Sequence, residues 1–205
     1  MKSFKQYYLL QEGRKHKNII VIDVQPEYAF YYDESGCSVC KDIIQFVNQN
    51  KGNVLMFVNA EETGVSSDFI IDIKEYWQDN GFERDWNDVE IIDKGFGYLR
   101  NWMDSGVSDA AIIKAIRHLY ELRISDSRQV VEDFDEYAST EYWKEYLNED
   151  VPECSINVNW ISVKKLKEYE NSYFVGGGRN ECLKEVELIM NAFNIKMIKI
   201  DSLIY

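Results

Sequence analysis

Residues 18–28 read NIIVIDVQPEY, and the first seven of them decide the fold. Ile19, Ile20, Val21 and Ile22 form a β-branched run with almost no alternation, as a central strand covered on both faces requires. Pro26 stops the run. Asp23 therefore falls at or near the carboxyl end of the strand, which is where open α/β sheets place their ligands.

Working outward, CSVCKDIIQFVNQ at 37–49 places Val39, Ile43, Phe46 and Val47 at helical spacing, with Lys51-Gly52 as the stop. A second β-branched run, NVLMFVNA at 53–60, follows at once. Strand, helix and strand in this order predict a right-handed crossover and parallel pairing. DFIIDIKEYWQDN at 68–80 carries Phe69, Ile70, Ile73 and Trp77 on one stripe of a helix, with Asp68 as its expected N-cap. DVEIID at 88–93 is a short strand that delivers Lys94 to a second strand exit.

The same alternation resumes near the other end of the chain. VKKLKEYE at 163–170 predicts a short helix, SYFVGGG at 172–178 a strand entering a glycine turn, and IKMIKID at 195–201 a last strand. Between the latter two, NECLKEVELIMNAF at 180–193 sets Leu183, Val186, Ile189, Met190 and Phe193 on one helical stripe. The intervening stretch, 101–155, is acidic and rich in Tyr and Trp. It contains a helix at 108–122, with Ile112, Ile116 and Leu119 inward and Ser108 or Asp109 as cap, and a weaker one at 141–147. The expectation is one α/β domain over 1–205, a three-layer sandwich around a mostly parallel central sheet, with 101–155 as a helical insertion or lid.

The chain has 205 residues, of which 45% are hydrophobic and 14% aromatic, values that suit one folded domain rather than a solvated polymer. A formal net charge of -13 disfavours nucleic acid as a partner, because the protein's own field repels phosphates. The opening MKSFKQYYLLQEGRKHKN has neither the apolar core nor the cleavage site of a signal peptide. No apolar run approaches a membrane span. A cytoplasmic setting is expected, in which Cys37, Cys40, Cys154 and Cys182 stay reduced.

Cys37 and Cys40 form a C-x-x-C without a second pair, and neither His16 nor His118 has a ligand-type neighbour at useful spacing. No metal or other cofactor is expected. Cys37 and Cys40 instead read as lying one turn apart at a helix start, with at least one of them packed inward.

The chemistry concentrates at the glycine turn. Gly176, Gly177 and Gly178, between a strand and a helix, permit positive φ and let the first helix amides point at a ligand; tight turns also need glycine for steric reasons alone. Cys182 follows in the first helical turn, where the helix dipole favours thiolate. A buried structural cysteine is the bland alternative. A thiol nucleophile needs a proton acceptor, and with no suitable histidine that acceptor is a carboxylate, for which Asp23 is the candidate. Lys94 at the other strand exit would hold the charged forms and polarise a substrate.

These elements resemble the isochorismatase-like cysteine hydrolases, a family of nicotinamidases, carbamoylsarcosine amidases and related amidohydrolases. Its pattern of an apolar strand followed by D-x-Q-x-D-F is similar to IIVIDVQPEY, with Asp23, Gln25, Glu27 and Tyr28 in register. Its lysine after a later strand matches EIIDK and Lys94, and its glycine six residues before the nucleophile matches VGGGRNEC, from Gly176 to Cys182. The resemblance spans about 18–100 and 160–201. It implies Cys182 as nucleophile, Asp23 as general base, Lys94 as third member, and the amides of Gly178 and Cys182 as oxyanion donors in a turn that often carries a cis peptide. Gln25 and Gly176 to Arg179 would border the ligand. A homo-oligomer is a further implication. The segment NAEETGVSSDF has no histidine, which argues against a metal-dependent nicotinamidase, and the lysine-to-cysteine interval is longer than the family's.

The function expected on this basis is cleavage of a C–N bond in a small amide or ureide through a Cys182 thioester. Two alternatives stand beside it. One is a sequestering protein on the same scaffold, holding an anionic small molecule or nucleotide at the glycine turn with Arg179 as its cation. The other is an acidic interaction protein acting through EDFDEY at 132–137 and EYWKEYLNED at 141–150, in a chain whose composition is similar to that of small tailed-phage proteins.

Overall fold

Ile19–Ile22 form strand β1, and all four residues are buried. The computed structural model that shows this describes residues 17–28, 39–60, 66–94, 98–125, 140–152 and 161–205. The other strands are β2 (Val54–Val58), β3 (Val89–Asp93), β4 (Tyr173–Gly176) and β5 (Ile198–Lys199). They form one sheet in the order β3-β2-β1-β4-β5, and every adjacent pair is parallel. The sheet is thus wholly parallel across these five strands, where the sequence suggests mostly so.

Seven α-helices lie among the described residues: α1 (Val39–Gln49), α2 (Ser67–Asp79), α3 (Tyr98–Asp104), α4 (Asp109–Ser125), α5 (Thr140–Leu147), α6 (Val163–Lys167) and α7 (Cys182–Ala192). The two-residue period of the strands sorts them into layers. Ile19, Val21, Val54, Met56, Val58 and Val175 join one core with Ile43, Ile44 and Val47 of α1 and Ile73 and Trp77 of α2. Ile20, Ile22, Leu55, Phe57 and Phe174 face the other way, into a core shared with Trp102 of α3, Ile116 of α4, Trp143 of α5 and Val186 of α7. The arrangement is a helix-sheet-helix α/β architecture.

Helices from the 101–155 stretch thus belong to the second of these cores. Trp102 and Trp143 are fully buried there, edge to face at 5.7 Å. Part of the stretch, including EDFDEY, lies outside the described residues. Cys40, on α1, is buried beside the Tyr76 hydroxyl at 3.3 Å, so one member of the C-x-x-C does pack inward; Cys37 and Cys154 lie outside the described residues. No described helix is long and apolar enough to cross a membrane.

The helix caps follow local chemistry. Ser66 Oγ accepts the Phe69 N–H at 3.1 Å and caps α2, so Asp68 is not the cap but sits inside the first turn, where its charge favours the helix dipole. Ser108 Oγ accepts the Ala111 N–H at 3.2 Å at the start of α4. The chain order then fixes the position of the site. From β1 it moves outward through β2 to β3, then returns to lay β4 on the opposite side of β1. The carboxyl ends of β1 and β4 therefore flank the switch point of the sheet, where a crevice forms in folds of this kind.

Candidate active site

Strand β1 ends in a residue that no longer has strand geometry. Asp23 has φ +48°, in the left-handed region that aspartate tolerates better than most residues. Its amide still donates to the Phe57 carbonyl at 2.8 Å. The backbone thus stays on the ladder while the turn re-aims the carboxylate, and Asp23 ends fully buried. A buried carboxylate needs a partner. Lys94 supplies it from the end of β3, across the intervening β2, with Nζ 2.5 Å from Asp23 Oδ2. The Lys94 amide donates to the Val58 carbonyl at 2.7 Å, which extends the strand ladder one residue and fixes where the side chain starts.

On the other side of β1, β4 pairs Gly176 with Ile22. Gly176 has φ +79°, and a Cβ there would lie 2.5 Å from the Ile22 carbonyl oxygen. Gly177, at φ +64°, would bring a Cβ to 2.9 Å from Ile22 Cγ2 and 3.0 Å from the Leu183 nitrogen. Packing alone requires these two glycines. Gly178 has no such backbone obstruction; a Cβ would meet the flexible Glu181 side chain at 3.1 Å. The Gly178 carbonyl accepts the amides of Glu181 and Leu183, at 3.0 and 3.2 Å, which winds the chain into α7. Among the described residues no peptide bond is cis, so the turn reaches this shape with trans peptides.

Cys182 is the first residue of α7, half-buried, and its thiol lies close enough to Asp23 and Lys94 for both charges to act on it. The three groups singled out from sequence therefore meet at one end of the sheet. Their electrostatics differ from the simple helix-dipole expectation. Burial, then the adjacent Asp23 charge, push the Cys182 thiol up to about 12, against the pull of Lys94. The resting group at neutral pH is the thiol. For Lys94, burial works against the charge, but Asp23 and Glu185 outweigh it and hold the ammonium above its ordinary pKa.

Glu185 is the residue that sequence reading missed. It stands one turn after Cys182 on α7, is buried, and places Oε2 2.9 Å from Lys94 Nζ. Lys94 is thus bracketed by two carboxylates. Burial raises the Glu185 pKa, while Lys94 draws it back. The signal available in the sequence was its i+3 spacing from Cys182, which puts both on one helix face. Arg100 of α3 completes the rim, pairing with Asp104 at 2.9 Å and with Glu181 at 3.2 Å.

The remaining expected residues have other engagements. Gln25 is buried, and its carboxamide donates to the Asn59 carbonyl and accepts the Asn59 amide, both at 2.9 Å, tying the exits of β1 and β2 together. Its Nε2 also donates to Glu27 Oε2 at 3.0 Å. Tyr28 accepts from Asn59 Nδ2 at 2.9 Å, and its phenol, raised mainly by burial, also senses the charges of Asp23, Lys94 and Cys182. Arg179 is about half exposed and pairs with Asp201 at 2.9 Å, while its amide donates to the Tyr205 carbonyl. Among the described residues no group of three or more His, Cys, Asp and Glu side chains is placed to hold a metal ion.

Compared with protein-family models, with curated proteins and with solved structures, the chain finds no match.

Proposed function

We propose that the protein is a cysteine hydrolase of the isochorismatase-like kind, cleaving a C–N bond of a small amide or ureide through a thioester on Cys182. One observation carries the reading: a thiol within the field of a buried carboxylate that an ammonium holds at 2.5 Å, beside the switch point of a parallel sheet. An apolar packing role for Cys182 explains neither the buried charge nor its convergence from three distant segments.

In this reading Asp23 takes the thiol proton as sulfur attacks the substrate carbonyl carbon, so free thiolate never accumulates. That coupling suits a thiol whose own pKa is pushed up to about 12. The carbonyl electron pair moves onto oxygen, where the amides of Gly178 and Cys182 receive it. When the C–N bond breaks, the departing nitrogen takes the proton from Asp23 and leaves as amine or ammonia. Water then gives a proton to Asp23 and attacks the thioester, and the sulfur leaves with that proton. Lys94 stays protonated throughout, opposing the negative charge that develops on sulfur and oxygen.

The test is ammonia release from a panel of primary amides and ureides, paired with mass spectrometry of the protein quenched during turnover. The expected result is release that Cys182→Ala abolishes, with an acyl adduct on Cys182 removed by hydroxylamine. Turnover that survives Cys182→Ala, or no turnover and no adduct across the panel, overturns the proposal.

A further inference from the structure

The charges at the site are unevenly matched. Lys94 faces two carboxylates, Asp23 and Glu185, and Arg100 at the rim faces two more, Asp104 and Glu181. Among the described ion pairs of Lys94 and Arg100, two cations thus meet four carboxylates near the start of α7. The basic residues on either side of Cys182 in sequence, Arg179 and Lys184, are committed to Asp201 and Asp109. A nucleophile, base and lysine alone would sum to no net charge with the thiol protonated. Glu185 makes that sum negative, and it does so from a buried position where solvent screens little.

We propose that Glu185 makes this site select substrates by charge: it accepts cationic amides in preference to neutral ones and excludes amides that carry a carboxylate or phosphate. The inference rests on the hydrolase reading above and narrows its substrate class. An anionic substrate brought beside Cys182 meets Asp23 and Glu185 with one shared ammonium already saturated by both. A substrate bearing an ammonium or guanidinium group finds a carboxylate surplus at the same distance.

The experiment reads charge preference without turnover. Wild-type protein is treated at low ionic strength with three methanethiosulfonates, the cationic trimethylammonioethyl, the neutral methyl and the anionic sulfonatoethyl reagents. Adducts on Cys182 are counted by mass, with Cys182→Ala as the blank for other thiols. The cationic reagent is expected to label faster than the anionic one by about tenfold or more, with the ratio shrinking in high salt. In Glu185→Gln the ratio falls toward one; using a ratio cancels any change in thiolate fraction. Should Glu185→Gln not fold, Glu185→Met or Glu185→Ala takes its place, because the net charge of -13 by itself favours the cationic reagent and only loss of the preference on removing Glu185 assigns it to that residue. A ratio near or below one, a ratio unchanged in a folded Glu185→Gln, or labelling of Cys182 by none of the reagents overturns the inference. Anion-preferring labelling in an active amidase removes this inference alone, whereas cation-preferring labelling with no amide turnover removes only the hydrolase reading.

Discussion

The two faces of the sheet are built from the same apolar residues yet differ in what they hold at the strand exits. On the α1/α2 face the contact that reaches the exit of β1 is a neutral one: the Trp77 indole N–H donates to the Val24 carbonyl at 2.7 Å, fully buried. On the opposite face α7 carries Cys182 and Glu185 to the same strand end, against Asp23 and Lys94. One face anchors the strand with a hydrogen bond that no pH change reaches. The other anchors it with ionised groups whose contribution depends on their protons. The strand end that carries the ionised groups is thus held from behind by a neutral hydrogen bond.

The largest break in this comparison is Lys94→Met. It removes the ammonium that pairs with two buried carboxylates, and the expected loss is about 3–5 kcal/mol in urea unfolding at pH 7. Uncompensated carboxylates take up protons, so the loss shrinks at pH 5. An equal loss at both values would mean that charge is not the cause. Trp77→Phe, on the other face, strands the Val24 carbonyl and costs about 1–3 kcal/mol. That loss is the same at pH 5 and pH 7. A pH-dependent Trp77→Phe deficit would erase the distinction between the faces.

The smallest effect is an alkaline slope. The folded Cys182 thiol titrates at about 12, above the ordinary cysteine value of about 8.5, so the folded chain keeps its proton longer than the unfolded one. This contribution is whole below about pH 8.5 and is lost as pH rises from there toward the folded value. Between pH 8.5 and 10 the wild type should lose about 1 kcal/mol per pH unit more than Cys182→Ser. Lys94, whose pKa is also raised, begins to lose its own contribution only above about 10.4, outside that window. Parallel stability curves for the two proteins would contradict the buried-thiol electrostatics.

The central strand and the helix that carries Cys182 were legible because burial on both faces leaves an unbroken β-branched run and burial on one face leaves a 3.6-residue stripe. Asp23, Lys94 and Cys182 were legible as residues just beyond such elements. Glu185 was not, since a charged residue beside a helical stripe reads as solvated, and only its contact with Lys94 from a strand far away in sequence draws it inside. Arg179 reads from sequence as a ligand's cation, and the structure adds what the sequence does not show: the turn at Asp201–Leu203 folds back and pairs Asp201 with it. The acidic, aromatic middle concealed a core, because Trp102 and Trp143 are buried on helices whose other faces are polar. β5 shrank from a seven-residue expectation to Ile198–Lys199, an exposed pairing at the sheet edge where little burial rewards extension.

The register that sets Ile22 beside Gly176 joins segments far apart along the chain. As the polypeptide leaves the ribosome, the acid and the ammonium emerge long before the sulfur. The thiol meets the carboxylate only once β4 has paired with β1 and α7 has docked, so under the hydrolase proposal an unfinished chain would expose an ordinary cysteine and activity would report that this end of the sheet is assembled.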